Sequence, residues 1–420
     1  MVCDSIYHQI SSERLRKDLE AICDFGGRVC GSEAEKQAVE FLRQELSSIP
    51  GGNLFSMKMD YDCWRGDSSI ELADRTVIPT NALLFSPLTP KDGLLAEVRD
   101  IGYGTEEDFR TAGSELSGRI VLVRHSYMFS PTHVHRMLKY AWARECGAIG
   151  FIVANPWDDS GQVAGGLGVG VFEGEPIPGV GVDAKAAIAL SKAADNNEPI
   201  RLYVKGQNFN QTAETLFLDL PGSSDNFVAV SAHVDGHALA ESAIDNASGL
   251  AVALEMARLF APLEERKLGI RLCFFNLEEW GLLASKEYIA ALSEEEKRKI
   301  LININLDAVA GDTDITAMIS EYPGLRKLVR AAADIAGITV RTYDPRTPNS
   351  DHYHFASAGI PAMRLIAGFD KPKSNLRHVL TERDKRDLVS DDELIKGCKL
   401  TAALFCMTQE VGTETLRQRV

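Results

Sequence analysis

Phe227-Val-Ala-Val-Ser-Ala-His233-Val-Asp235 is an almost unbroken apolar run that ends in an imidazole, with a carboxylate two residues on. The run reads as a strand buried on both faces. A carboxylate so placed can hydrogen-bond the ring nitrogen turned away from a metal, setting the tautomer and raising ligand basicity. Downstream, Ala243-Ile-Asp245-Asn246-Ala-Ser-Gly249 reads as a tight turn opening an amphipathic helix over Leu250 to Phe260. Asp245 therefore falls near a helix N-terminus, where an anion is favoured.

The same design recurs twice. Ile270-Arg-Leu-Cys-Phe-Phe-Asn276 is a short apolar run followed by Glu278-Glu279-Trp-Gly281, and Lys299-Ile-Leu-Ile-Asn-Ile-Asn-Leu-Asp307 ends in a single acid. Adjacent carboxylates at a strand end can divide the labour, one binding metal while the other takes a proton from water. In open α/β sheets ligands bind outside the carboxyl ends of the strands, so three such ends point to one site. With the late His378, the set holds enough imidazole and carboxylate for two divalent metal ions and a base.

These residues resemble the M28 zinc aminopeptidases, whose patterns are H-x-D, D-N-x-S-G, E-E, N-x-D, S-D-H and a late His. Here they read His233-Val-Asp235, Asp245-Asn246-Ala-Ser-Gly249, Glu278-Glu279, Asn305-Leu-Asp307, Ser350-Asp351-His352 and Arg377-His378. The resemblance implies an α/β fold of the zinc-exopeptidase type, a mixed and mostly parallel sheet sandwiched by helices. It implies two Zn²⁺ per chain, with Asp245 bridging, Glu279 and His378 completing one site, and His233 and Asp307 the other. Glu278 would be the general base and Asp235 the partner of His233. The oxygen- and nitrogen-rich donor set also admits Co²⁺ or Mn²⁺. The chain departs from the family pattern at Gly236-His237 and after His378, where Thr381-Glu382-Arg-Asp384 follows; both departures bear on the substrate pocket.

Residues 12–48 read as two helices around Gly26-Gly27-Arg28, the second from Glu33 to Leu46. About 150 residues then intervene before the catalytic pattern. That stretch contains Leu116-Ser-Gly-Arg-Ile-Val-Leu-Val-Arg124 and Gly147-Ala148-Ile-Gly-Phe-Ile-Val153, with Ile177 to Val182 and Ala184 to Ala194 as a closing strand and helix. It looks like a protease-associated (PA) domain, smaller and β-rich. The expected organisation is a catalytic domain over 1–56 and 208–420, interrupted by a PA-like domain over 57–207. Such an insert can restrict which substrates enter, and Ala164 to Val171, rich in glycine, reads equally as a lid or an ordinary loop.

With 420 residues, 45% hydrophobic and 25% charged, the chain is long enough for two domains. A net charge of −15 argues against nucleic acid and anionic membrane surfaces as partners. No apolar run approaches the ~20 residues that cross a bilayer. The N-terminal residues lack the apolar core of a secretory signal. Eight cysteines scattered from Cys3 to Cys406 form no framework, so all are expected to be reduced and the protein cytoplasmic. Composition leaves a homo-oligomer open.

The expected substrate is a peptide or small amide, and the expected activity an aminopeptidase. A carboxypeptidase or N-acyl-amino-acid amidohydrolase needs a cation for the substrate carboxylate, which Arg364 or Arg377 offers. A glutaminyl-cyclase-like transferase or a non-catalytic scaffold is disfavoured by the full ligand set. His237, His352 and Arg364 are the candidate substrate-binding residues. His352 and His354 compete with His378 as last ligand on spacing alone, and the family order favours His378. His125, His133 and His135 have no acid or cysteine spaced to close a metal site, so they read as loop residues.

Overall fold

The computed structural model describes residues 6–171, 173–263, 266–410 and 416–417. The chain divides into two compact units, one of residues 1–61, 212–379 and 384–420, the other of 62–211 and 380–383. Among the described residues thirteen strands form, β1 (Asn53–Glu71), β2 (Val77–Ala82), β3 (Leu94–Asp100), β4 (Ile120–Arg124), β5 (Gly150–Ala154), β6 (Gly179–Val182), β7 (Pro199–Leu220), β8 (Phe227–His233), β9 (Gly269–Phe275), β10 (Ile300–Leu306), β11 (Ile315–Met318), β12 (Val340–Tyr343) and β13 (Ala362–Ala367). The boundaries expected at 56/57 and 207/208 fall inside β1 and β7, two long continuous strands, so no linker composition marks them.

The first unit is built on the order β7-β9-β8-β10-β13-β11-β12. β9, β8, β10 and β13 are mutually parallel, while β7 and β11 pair antiparallel. Every residue of β10, and all but the first of β8, is buried, as expected for parallel strands covered on both faces. One group of helices, Ser12–Asp24, Ser248–Phe260, Gly324–Ala336 and Asp391–Glu410, packs together; Leu283–Ala291 packs against His352–Ser357.

Ser248–Phe260 departs from the amphipathic expectation, because all its residues but Arg258 are buried. Its two charges are consumed internally. Arg14 pairs with Glu255 at 2.6 Å, and Arg258 with Asp18 and with Glu45 at 2.8 Å.

The second unit carries the order β1-β2-β6-β5-β4-β3-β7, parallel from β3 through β6. Alternation along these strands fills two cores, Ile120, Leu122, Ile152 and Val180 in one and Val121, Val123, Phe151 and Val153 in the other. Residues 380–383 belong to this unit. Ala164 N–H donates to the Leu380 carbonyl at 2.8 Å, and Val163 bridges Thr381. The sequence reading assigned those four residues to the catalytic domain; the pairing that places them elsewhere spans over two hundred residues and leaves no local pattern.

Cys23, Cys30, Cys63, Cys146, Cys273 and Cys398 are free, whereas Cys406 is disulfide-bonded. The expectation of eight reduced cysteines therefore fails at Cys406. Scattered spacing carries no information on which cysteines meet in space. Among the described residues no helix is long and apolar enough to cross a membrane.

Candidate metal centre and active site

The carboxyl ends of β8, β9 and β10 lie side by side, with His233 level with Phe275 and Ser231 with Asn305. Just beyond those ends, His233, Asp245 and Asp307 each bring one donor atom within 4.8 Å of the others. Among the described residues this is the one group of three or more such side chains at metal-binding spacing. Glu279 and His378 do not join the group at that spacing. His378 is buried at the end of a 3₁₀ turn, Asn375–His378.

Each donor is held by a buried network. His233 Nδ1 meets the Asp235 carbonyl oxygen at 3.0 Å, and Nε2 faces Asp245 Oδ1 at 2.9 Å and Asp307 Oδ1 at 3.6 Å. The group orienting the ring is thus the backbone carbonyl of Asp235. Its carboxylate, expected in that role, lies 3.8 Å away. It accepts instead from the Glu278 N–H at 3.1 Å and the Glu279 N–H at 2.9 Å. Asp235 therefore positions the Glu-Glu pair as well as the histidine.

Asp245 sits in a turn whose geometry explains the D-N-x-S-G pattern. The Asp245–Asn246 peptide is cis. Asn246 donates to the Leu306 carbonyl at 2.8 Å and accepts from Gly249 N–H at 3.0 Å. A side chain at 249 would collide with Asn246 and with the Leu306 carbonyl, so only glycine lets the helix start there. From the far end of the chain, Asp384 accepts the Ile244 N–H at 2.7 Å and the Asp245 N–H at 3.3 Å. Burial raises the Asp384 carboxyl to about 7, with Asp245 adding to the rise and the two N–H groups opposing it.

Asp307 ends a buried polar relay. Asn303 donates to Ser231 at 2.9 Å, Ser231 to Asn305 at 2.6 Å, Asn305 to Ser350 at 2.6 Å, and Ser350 to Asp307. Arg364 closes the other side, its Nη2 3.0 Å from Asp307 Oδ1 and its Nη1 donating to the Asn349 carbonyl at 2.7 Å. Burial alone would raise Asp307; Arg364, His233 and Ser350 outweigh it and hold the carboxyl below the ordinary range. Arg364, offered by the sequence as a cation for a substrate carboxylate, is buried and engaged by Asp307.

Glu278 is pushed well above the ordinary carboxyl range by burial and by the charges of Asp307, Glu279 and Asp351, against the pull of His233. Burial works against protonation of His233, but Glu278, Asp245 and Asp307 prevail and raise it. Asp351 is raised to about 7, chiefly by burial. Five acids, Asp245, Glu278, Glu279, Asp307 and Asp351, thus crowd a region in which His233 and Arg364 supply countercharge. A divalent cation would offset that excess, and the donors are those zinc takes.

The remaining candidates are placed as follows. His237 is buried, its Nδ1 accepting from Leu239 N–H at 3.3 Å, and its ring is held neutral by burial and Arg28, down to about 3. His352 is fully buried on the short helix His352–Ser357, likewise lowered to about 3 by burial first and by Arg364. Neither is in the ligand group. Arg377 donates to the Lys373 carbonyl at 3.1 Å. In the other unit His135 caps the helix Arg136–Glu145 by accepting the Met137 N–H at 3.2 Å, and His133 meets the Ser130 carbonyl at 2.8 Å. His125 packs edge-on to Trp157, and among the described residues these three histidines do not form a group at metal-binding spacing.

Residues 215–404 match the model of peptidase family M28, and residues 86–190 match that of the PA domain. Residues 215–404 are an M28 peptidase domain. Over its length the chain is 25% identical to aminopeptidase YwaD of Bacillus subtilis, across 94% of this chain and 84% of that protein. It is 26% identical to a probable leucine aminopeptidase 2 of Aspergillus fumigatus, across 83% of this chain and 69% of that protein. The fold is that of a zinc aminopeptidase from Bacillus subtilis, with a TM-score of 0.77, 22% identity, and coverage of 97% of this chain and 98% of that one. The M28 domain thus contains every candidate ligand, and the PA domain holds the three-histidine group.

Proposed function

We propose that the protein is a zinc-dependent aminopeptidase that releases N-terminal residues from short peptides. The observation that carries this reading is the convergence of His233, Asp245 and Asp307 beyond the ends of β8 and β10, with Glu278 and Glu279 fixed beside them through Asp235. The names of the relatives supply the aminopeptidase reading, and the M28 match the peptide substrate.

Two zinc ions are the proposed cofactor; His233 and Asp307 would hold one, Glu279 and His378 the other, and Asp245 would serve both. When bound, zinc polarises the scissile carbonyl and lowers the pKa of water so that hydroxide is available near neutral pH. The protein's own part is proton traffic and orientation. Glu278, dehydrated and crowded by like charge, takes the proton of the attacking water and returns it to the departing amine. Asp235 fixes the backbone at Glu278, and Asp384 fixes it at Asp245.

The carboxylate-reading alternatives lose their support at Arg364, whose guanidinium is engaged by Asp307 and Asn349. The test is a hydrolysis panel on zinc-loaded protein, pairing free-amino dipeptides and aminoacyl-anilides with N-acylated amino acids of the same side chains, alongside zinc analysis. Cleavage of the free-amino set with about two zincs per chain is expected. Cleavage confined to the N-acylated set would overturn the aminopeptidase reading.

A further inference from the structure

The anchor of the Glu278–Glu279 turn ends on a cysteine. Cys30 lies at the N-terminal approach to the helix Glu33–Ser47, fully buried, with Sγ 3.2 Å from Asp235 Oδ2 and 3.7 Å from Asn276 Oδ1. Both neighbours are acceptors. Asp235 is a carboxylate already receiving two N–H groups, and Asn276 Oδ1 receives the Leu277 N–H at 2.9 Å. Toward both of them a thiol can only donate, while its sulfur also accepts from the Leu277 backbone N–H. Burial, together with the charge of Asp235, pushes the Cys30 thiol well above its ordinary range and keeps it protonated.

The same N-terminal segment grips the turn a second time. Glu35 accepts from Asn276 Nδ2 at 2.5 Å, while the Asn276 N–H donates to Thr215 Oγ1 at 3.2 Å. The turn that carries the base is thus hung from residues more than 200 positions earlier in the chain.

We propose that Cys30 is a positioning residue whose S–H, shared between Asp235 and Asn276, holds the Asp235 carboxylate in the orientation that grips the amides of Glu278 and Glu279. This deepens the aminopeptidase reading and rests on it for its catalytic consequence. The rival role is that of a small apolar filler in a packed interior. The two separate by substitution. Cys30→Val keeps bulk and removes the donor, Cys30→Ala removes both, and Cys30→Ser keeps a donor.

The measurements are hydrogen exchange of the Glu278 and Glu279 amides in metal-free protein, zinc affinity by chelator competition, and kcat and KM on a dipeptide. In Cys30→Val and Cys30→Ala the two amides are expected to exchange about ten-fold faster. Zinc affinity and kcat should each fall about ten-fold with KM little changed, the scale of effect seen for groups that orient metal ligands. Cys30→Ser should restore most of each. Wild-type exchange and kcat in Cys30→Val would overturn the proposal in favour of packing. A Cys30→Ser variant as impaired as Cys30→Val would overturn it in favour of sulfur's shape. Because exchange is read without metal or substrate, it decides the hydrogen-bond role even if the wild type neither binds zinc nor cleaves peptides, an outcome that would refute the functional reading separately.

Discussion

Replacing Arg364 by methionine tests whether that guanidinium serves the metal site or the substrate. Arg364 and Asp307 each expose only 2% of their side chains, and their charged atoms meet at 3.0 Å. Removing one member of a buried pair leaves the other charged and dehydrated, at a cost of about 3–5 kcal/mol. The Asn349 carbonyl also loses its 2.7 Å donor, adding about 1 kcal/mol. Methionine keeps most of the apolar packing, so the net loss for the metal-free M28 domain is expected to be about 5 kcal/mol. At roughly 2–4 °C per kcal/mol for a domain approaching this size, that is a fall in Tm of roughly 10–20 °C. The assay is thermal and urea unfolding of metal-free Arg364→Met beside wild type, followed by kinetics on free-amino and N-acylated substrates. A stability loss under about 1 kcal/mol, with a rise in KM confined to substrates bearing a free carboxylate, would refute this reasoning and restore Arg364 to the substrate pocket.

Glu278→Ala is expected to retain zinc and lose turnover by at least about a hundred-fold, and Asp245→Ala to lose metal as well; zinc analysis and peptide hydrolysis check both, and an active Glu278→Ala enzyme sinks the base assignment. Asp384→Ala frees the Ile244 and Asp245 amides and should weaken zinc binding about 10–100-fold, read by chelator competition, with an unchanged affinity counting against the capping role. In the PA domain His135 is pushed down to about 3 by burial and by Arg136, His133 and Lys139, whereas an unfolded histidine titrates near ~6.5. Between those values the unfolded chain binds the proton and the folded one does not, so stability falls as pH drops from ~6.5 toward ~3. His135→Asn keeps an acceptor for the Met137 amide and removes the titration, so the acid unfolding midpoint of this domain should move to lower pH; an unmoved midpoint refutes it. Thiol titration of the unreduced, denatured protein should find fewer than the eight cysteines of the sequence, since Cys406 is bonded; eight reactive thiols would remove that disulfide.

Strand ends were the legible part of this molecule. A buried run closing on His233 or Asp307 fixes where the side chain emerges, because parallel strands in one sheet end on one side, and the Asp245-Asn246-Ala-Ser-Gly249 pattern demanded the turn that forms. What stayed hidden depends on long-range pairing. Asp384 holds amides 139 and 140 positions away, and nothing beside it marks it as a cap. Arg364 carries the same charge whether it faces a substrate or a ligand, so only its burial against Asp307 distinguishes the two. The helix Ser248–Phe260 showed its period, but a period cannot reveal that both sides are covered and that Glu255 and Arg258 find partners inside. Residues 380–383 read as part of the catalytic domain because the residue they bridge, Val163, lies more than two hundred positions earlier in the chain.

The grip of Asp235 falls on backbone amides and not on the side chains of Glu278 and Glu279. The scaffold is therefore indifferent to what stands at those two positions, proline excepted, since every other residue offers the same N–H. Chemistry at the turn can be rewritten by single substitutions without dismantling the frame that presents it. A lineage could lose hydrolysis, acquire a different base or become a pure binding protein while folding as before, and a designer could explore the same changes with stability held nearly constant.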